Sequence, residues 1–239
     1  WGPIDVLVNN AGVIQVGPLA SMTVGDFERA MGVHLWGPLR AIHAALPRLR
    51  RDGEARIVNI ASVGGKVSVP HLLPYCASKF ALVGFSQGLR SELISKGIHV
   101  TTVSPGLMRT GSPRNAQFKG DHKAEYAWFS IGDSLPGLSI SSGSAARQII
   151  EACRRGDAEL VAGAAARVAV LFNHLFPNWT ASLLRMTQAL LPGSKNAGTE
   201  THPGVESFSE WSPSFLTALT EQAAAANNEL GPKYQALLR

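Results

Sequence analysis

Apolar residues recur along this chain in short runs and in helical stripes, and the two kinds of segment alternate. Asp5 to Val8 form a short apolar run that breaks at Asn-Asn-Ala-Gly, the pattern of a buried strand entering a tight turn. Thr23, with Asp26 three residues later, reads as a capping box opening a helix around Phe27, Ala30 and Met31. A long helix then runs to about Arg50, with Leu35, Leu39, Ile42, Leu46 and Leu49 on one apolar face, and Gly53 breaks it. Arg56 to Ala61 predict a second strand. The helix bearing Tyr75 and Lys79 runs to about Ser95, Gly97 ends it, and Ile98 to Ser104 predict a third strand. Leu107 to Ser142 read as a long connection, punctuated by Gly and Ser, with a weakly helical middle. Ser144 to Arg155 return to a helix, and Glu159 to Ala162 make a fourth short strand.

Strands alternating with helices imply crossovers and an α/β, doubly wound parallel sheet. Ligands of such sheets bind beyond the carboxyl ends of the strands, where Asn10, Ser62 and Pro105 all fall. From Ala164 the pattern changes. Val168, Leu171, Phe172, Leu175 and Phe176 make one helical face, Pro177 interrupts it, and Trp179, Leu183, Met186 and Leu190 continue with another. Gly193 to Gly204 read as a linker, and Ser212-Pro213 as the N-cap and first-turn proline of a helix through Leu219. No stretch approaches the ~20 apolar residues that span a bilayer. Arg167 and Arg185 supply little charge for a membrane surface, so the apolar faces are expected to pack on the domain or on another subunit. The expected units are a domain over 1–163 and a helical extension and tail over 164–239.

The 239 residues are 45% apolar and 16% charged, which suits a folded domain with a sizeable core. Two cysteines, Cys76 and Cys153, cannot build a disulfide framework and suggest no metal site, so a reducing cytoplasm fits best. The net charge of +5 is modest, and the arginines cluster at expected helix ends. The aromatic-interleaved basic stripe of a nucleic-acid binder is not seen.

Tyr75 and Lys79 lie four residues apart, about one helical turn, and so share a face. A free phenol with a pKa near 10 is a poor acid at neutral pH. A cation at ~4 Å, in an effective dielectric of ~20, would supply ~4 kcal/mol, enough to lower that pKa by ~3 units. Ser62, thirteen residues before the tyrosine, carries a hydroxyl that could donate to a carbonyl oxygen as charge builds on it.

With DVLVNNAG at Asp5 to Gly12, IVNIAS at Ile57 to Ser62, VTTVSPG at Val100 to Gly106 and Thr110 closing Pro-Gly-x-x-x-Thr, the set resembles the short-chain dehydrogenase/reductase superfamily, in its Asn-Asn-Ala-Gly branch. The resemblance covers about residues 4–163. It implies a Rossmann-like fold and hydride transfer between a carbonyl or alcohol and NAD or NADP. Tyr75 would be the proton donor, Lys79 its pKa-lowering neighbour and ribose ligand, and Ser62 the group that orients the substrate oxygen. Asn10, Ala11 and Gly12 would pass the adenosine side of the cofactor. Pro105, Gly106, Met108 and Thr110 would bracket the nicotinamide. Ala127, Trp128, Phe129 and Leu135 would cover a fairly apolar substrate. Leu82, Phe85 and Leu89 would serve either a homo-oligomer contact or the core. A non-catalytic cofactor-sensing or interaction protein is the rival reading, and the intact Ser62, Tyr75 and Lys79 argue against it.

The chain departs from the family at two places. His34 stands where the family usually has an asparagine, and an imidazole with a pKa near 6.5 can relay a proton and would add pH sensitivity. A lone histidine inside a helix is more often a packed, hydrogen-bonded residue, so His34 is expected to tune the chemistry rather than perform it. The glycine-rich phosphate turn has no counterpart, and the chain begins at Trp1 on the doorstep of a strand. The expectation is a fragment lacking its first strands, with an exposed edge at Asp5 to Val8, prone to aggregate and inactive by itself.

Overall fold

The computed structural model describes residues 2–50, 55–193, 198–227 and 229. Trp1, the Gly53 break and part of the expected Gly193 to Gly204 linker lie outside those residues. The central sheet has four strands: β1 (Val6–Asn9), β2 (Ala55–Ile60), β3 (Ile98–Pro105) and β4 (Glu159–Ala162). They lie side by side in that order and every pairing is parallel. β1 forms an edge of this sheet, and Val6 and Val8 are exposed on it.

Helices α1 (Val24–Met31) and α2 (Gly37–Ala45) cross from β1 to β2, and α3 (Leu73–Leu93) crosses from β2 to β3. They cover one sheet face, where Ile42, Leu49 and Leu93 pack on Ala55, Ile57, Ile98 and Val100. Arg56 points to the other face, because side chains alternate along a strand, and its Nε donates to the Cys153 carbonyl at 3.1 Å. That carbonyl belongs to α5 (Ser142–Arg155), so helices cover both faces and the sheet is doubly wound. The Thr23–Asp26 capping box is present, and Gly97, at φ 72°, ends the α3 segment in the left-handed region open to glycine.

The expected unbroken helix up to Arg50 is instead interrupted. Gly32–Trp36 wind as a π-turn between α1 and α2, closed by Gly37 N–H on the Gly32 carbonyl. Such wide turns recur where a side chain must be re-aimed, and here the re-aimed group is His34. The connection after β3 is also more ordered than its sequence suggests, because α4 (His122–Ser134) occupies it. Tyr126 and Phe129 of α4 bury against Val16, Leu72, Cys76 and Phe118 in a second core. Three short strands brace that core, with Gln15–Val16 and His202–Pro203 flanking Gln117–Phe118.

Beyond Gly163, α6 (Ala164–Leu175) and α7 (Pro177–Leu190) follow the predicted stripes. The packing expectation fails within this chain: Val168, Leu171, Leu175, Trp179, Met186 and Leu190 are all exposed, Trp179 at 69%. The remaining tail returns to α4, with Ser130 and Ser212 hydroxyls 2.7 Å apart and Arg114 paired with Glu221. The helix expected at Ser212-Pro213 begins later, since Ser214 and Thr217 form the capping box and α8 spans Ala218–Ala226. Leu82 is fully buried in the core, and Phe85 and Leu89 are partly buried and pack against it. No helix among the described residues is long and apolar enough to cross a membrane.

Candidate active site

Ser62 follows β2 in extended conformation and caps the short turn Val63–Gly65. Its Oγ accepts the Gly64 N–H at 3.0 Å, which leaves the hydroxyl proton for another partner. Gly65 is pressed on α3, and a Cβ there would stand 2.7 Å from the Lys79 carbonyl oxygen. This close approach seats the Ser62 turn against α3, and Ser62 and Tyr75 line the same cavity.

The electrostatics correct the sequence expectation for Tyr75. Burial pushes its phenol up to about 12; the neighbouring Ser62 hydroxyl opposes the shift, while Cys76 and Asp133 reinforce it. Lys79 Nζ lies 5.7 Å from the tyrosine ring centroid and donates to the Ile60 carbonyl at 2.9 Å. The lysine's own pKa is lowered to about 8 by burial. An ammonium turned to a backbone carbonyl does not deliver the expected three-unit depression of the phenol, which here keeps its proton at neutral pH.

His34 is a packed, hydrogen-bonded residue. The ring is fully buried, and its pKa falls to about 3, through burial first and the nearby Lys79 charge second. Nε2 accepts the Val13 N–H at 3.1 Å, which places the ring proton on Nδ1, 2.7 Å from Ser78 Oγ. Ser78 in turn donates to the Pro74 carbonyl at 2.9 Å. His34 therefore stays neutral and joins the turn after β1 to the first turn of α3, with its ring edge-on to Tyr75. A titrating pH sensor is not what this pocket makes. The sequence reading missed Ser78, although its place one residue before Lys79 was a signal. It also missed Asn59, whose Oδ1 accepts from Asn9 Nδ2 at 2.7 Å and whose Nδ2 donates to Ser86 Oγ at 2.9 Å. Asparagines inside apolar strands were the clue there, since buried amides need partners.

Ser62, Tyr75, Gly106, Met108 and Thr110 line one cavity of about 410 Å³. Trp128 and Phe129 line it too, whereas Ala127 is buried beside it and Leu135 is exposed. Pro105 ends β3 just before the cavity wall. Asn10, Ala11 and Gly12 are exposed past the carboxyl end of β1 and lie outside the cavity lining. Gly12 backs onto His34, 3.3 Å from Nε2 at its Cβ position. Thr110 donates to Ser112 Oγ at 2.7 Å and its oxygen accepts the Ser112 N–H at 3.2 Å, which leaves one lone pair for a further donor. Asp133, unremarked in the sequence, also faces the cavity.

A short chain dehydrogenase family model matches residues 1–119. A short-chain dehydrogenase from Streptomyces avermitilis is 32% identical, with a TM-score of 0.62, over 79% of this chain and 70% of that one. A short chain dehydrogenase from Burkholderia cenocepacia, crystallised with NADP, is 25% identical with a TM-score of 0.62, over 76% of this chain and 68% of that one. The putative oxidoreductase SadH of Mycobacterium tuberculosis is 34% identical over 170 residues, which are 70% of this chain and 60% of that protein. The chain spans between 39% and 60% of the length of the leading curated relatives that it matches. With the parallel sheet, the Ser62–Tyr75 pair at its carboxyl edge and these likenesses together, the chain belongs to the short-chain dehydrogenase family.

Proposed function

We propose that the protein interconverts a carbonyl and an alcohol on a small apolar molecule, using NAD or NADP. The observation that carries this reading is that Ser62 and Tyr75 share an otherwise largely apolar cavity, with Lys79 buried one turn along the same helix. When bound, the nicotinamide supplies or accepts the hydride. The donors and clearances of this chain suit such a group. Asn10 to Gly12 are open at the strand ends, the Thr110 oxygen can accept an amide proton, and Lys79 Nζ could leave the Ile60 carbonyl for a ribose hydroxyl. Gly106 approaches Ala166 so closely that a Cβ would lie 2.8 Å away, which keeps the wall next to Met108 bare.

In this reading Ser62 donates its free proton to the substrate oxygen, and Tyr75 transfers its own proton there as negative charge develops. The high phenol pKa keeps that proton in place until the lysine ammonium moves closer. His34 acts as a positioning residue, holding the first turn of α3 against the turn after β1. The apolar lining excludes water and strengthens each of these interactions.

The test uses the intact protein with a panel of ketones, aldehydes and alcohols, followed by NAD(P)H absorbance, with cofactor fluorescence as a separate binding readout. Tyr75→Phe should lower turnover by about 10²-fold or more, as expected for loss of a general acid, while cofactor affinity stays within a few-fold. Full turnover by Tyr75→Phe would end the assignment. Cofactor binding without turnover by the wild type would favour the sensing alternative.

A further inference from the structure

Tyr75 and Asp133 are the two titratable side chains among the described residues lining the cavity, and only the tyrosine has work in the proposed reaction. Asp133 sits in the last turn of α4 and is 5% exposed, with its remaining surface open to the cavity. Among the described residues no hydrogen bond or ion pair reaches its carboxyl group. No described residue lining the cavity offers a cation. The C-terminal end of a helix carries partial negative charge, so α4 itself does not stabilise a carboxylate there. Burial raises the Asp133 pKa to about 8, so at neutral pH the group is mostly a carboxylic acid, able to donate one hydrogen bond and accept others. Buried polar groups without partners are rare and costly, and one aimed into a ligand cavity is satisfied when the ligand arrives.

We propose that Asp133 recognises a second, neutral oxygen function on the substrate, a hydroxyl or keto group remote from the reacting carbonyl. The substrate class is then a bifunctional apolar molecule, held by Ser62 and Tyr75 at the reacting end and by Asp133 at the other oxygen. A plain hydrocarbon chain would bury the carboxyl group against nothing. A cationic amine would require a carboxylate in a cavity that offers it no other support. A volume of about 410 Å³ leaves room for one or two rings carrying both groups. This proposal rests on the reading of Ser62 and Tyr75 given above, and its test is kept independent of turnover.

The ortho, meta and para isomers of 4-(hydroxyphenyl)butan-2-one are titrated calorimetrically into the intact protein, with oxidised cofactor present, beside their methylphenyl counterparts. At least one hydroxyl isomer should bind about 10-fold more tightly than its methyl counterpart, the worth of one good hydrogen bond. Asp133→Asn, which keeps a donor and an acceptor, should hold that preference within ~3-fold. Asp133→Leu, which keeps the branched shape but removes the polar atoms, should lose about 10-fold for the hydroxyl ligand relative to the methyl ligand. Equal affinities for the two series in the wild type would overturn the proposal. So would no binding by any member, or an equal loss for both series in Asp133→Leu. Should the leucine variant not fold, the wild-type preference and its retention in Asp133→Asn decide the matter. A hydroxyl preference lost in Asp133→Leu, with no NADH or NADPH turnover of any ligand, would leave Asp133 as the recognition group and remove the reductase reading.

Discussion

His34 should make folding sensitive to mild acid, and replacing it should remove that sensitivity. In the unfolded chain its imidazole titrates near 6.5, and in the folded protein near 3, because the ring is desolvated and faces Lys79. Below pH 6.5 the unfolded chain binds a proton that the folded chain refuses. Stability that is fully present above 6.5 is therefore lost as pH falls toward 3. Between pH 7 and pH 5 this one group should cost about 2 kcal/mol. His34→Asn keeps a carbonyl oxygen that can accept from Val13 and cannot titrate. At pH 7 the variant should be weaker by about 1–3 kcal/mol, from the poorer filling of the site and the lost Ser78 contact. The drop in stability from pH 7 to 5 should nevertheless be about 2 kcal/mol smaller in the variant than in the wild type. Urea denaturation followed by tryptophan fluorescence at the two pH values measures both quantities, and the other histidines cancel in the comparison. Identical pH dependence in the two proteins would refute a buried neutral imidazole. The same reasoning makes the pH–rate profile of His34→Asn match that of the wild type above pH 5, in contrast to the tuning role that the sequence suggested.

Two further substitutions probe how the site is held. Asp26 is both the cap of α1 and the buried partner of Lys119 Nζ at 2.7 Å, with Gln15 Nε2 on its other oxygen at 2.8 Å. Lys119→Met should cost about 3–5 kcal/mol by leaving that carboxylate buried and short of its cation, read as a lower thermal midpoint; a change under 1 kcal/mol would mean that water reaches the pair. Gly65→Ala must push the Ser62 turn off Lys79, where a Cβ meets the carbonyl oxygen at 2.7 Å. The expected result is a stability loss of about 1–3 kcal/mol with a fall in kcat larger than any change in cofactor affinity, and unchanged turnover would argue against a rigid Ser62.

What the sequence displayed well was local. The four strands lie within a residue or so of their apolar runs, the Thr23–Asp26 cap forms, and Gly97 closes the α3 segment, because each depends on residues only a few positions apart. Tyr75, Ser62, Met108 and Thr110 were legible for the same reason, each sitting in a short motif. Helix α4 was not, since its apolar side chains find their partners only after Gln15–Val16, Gln117–Phe118 and His202–Pro203 come together from distant parts of the chain. Asp133 passed unremarked, because nothing local announced its burial. The neutral His34 depended on Val13 and Ser78, on elements that flank it in space and not in sequence. The α6 and α7 stripes were legible as stripes, but periodicity states which face is apolar and not whether anything covers it.

The π-turn at Gly32–Trp36 also determines where this chain tolerates a change in length. A wide turn holds one residue more than an α-helix needs, so a one-residue deletion there should be absorbed by the turn tightening, with Ile42 and Leu49 staying on their packed face and only the aim of His34 lost. The same deletion between Tyr75 and Lys79 would swing every later side chain of α3 by about 100°, taking the lysine off the tyrosine's face and Leu82 and Ser86 out of the core. Among related chains, a one-residue gap is therefore expected to fall in the helix before β2 and not in the one after it.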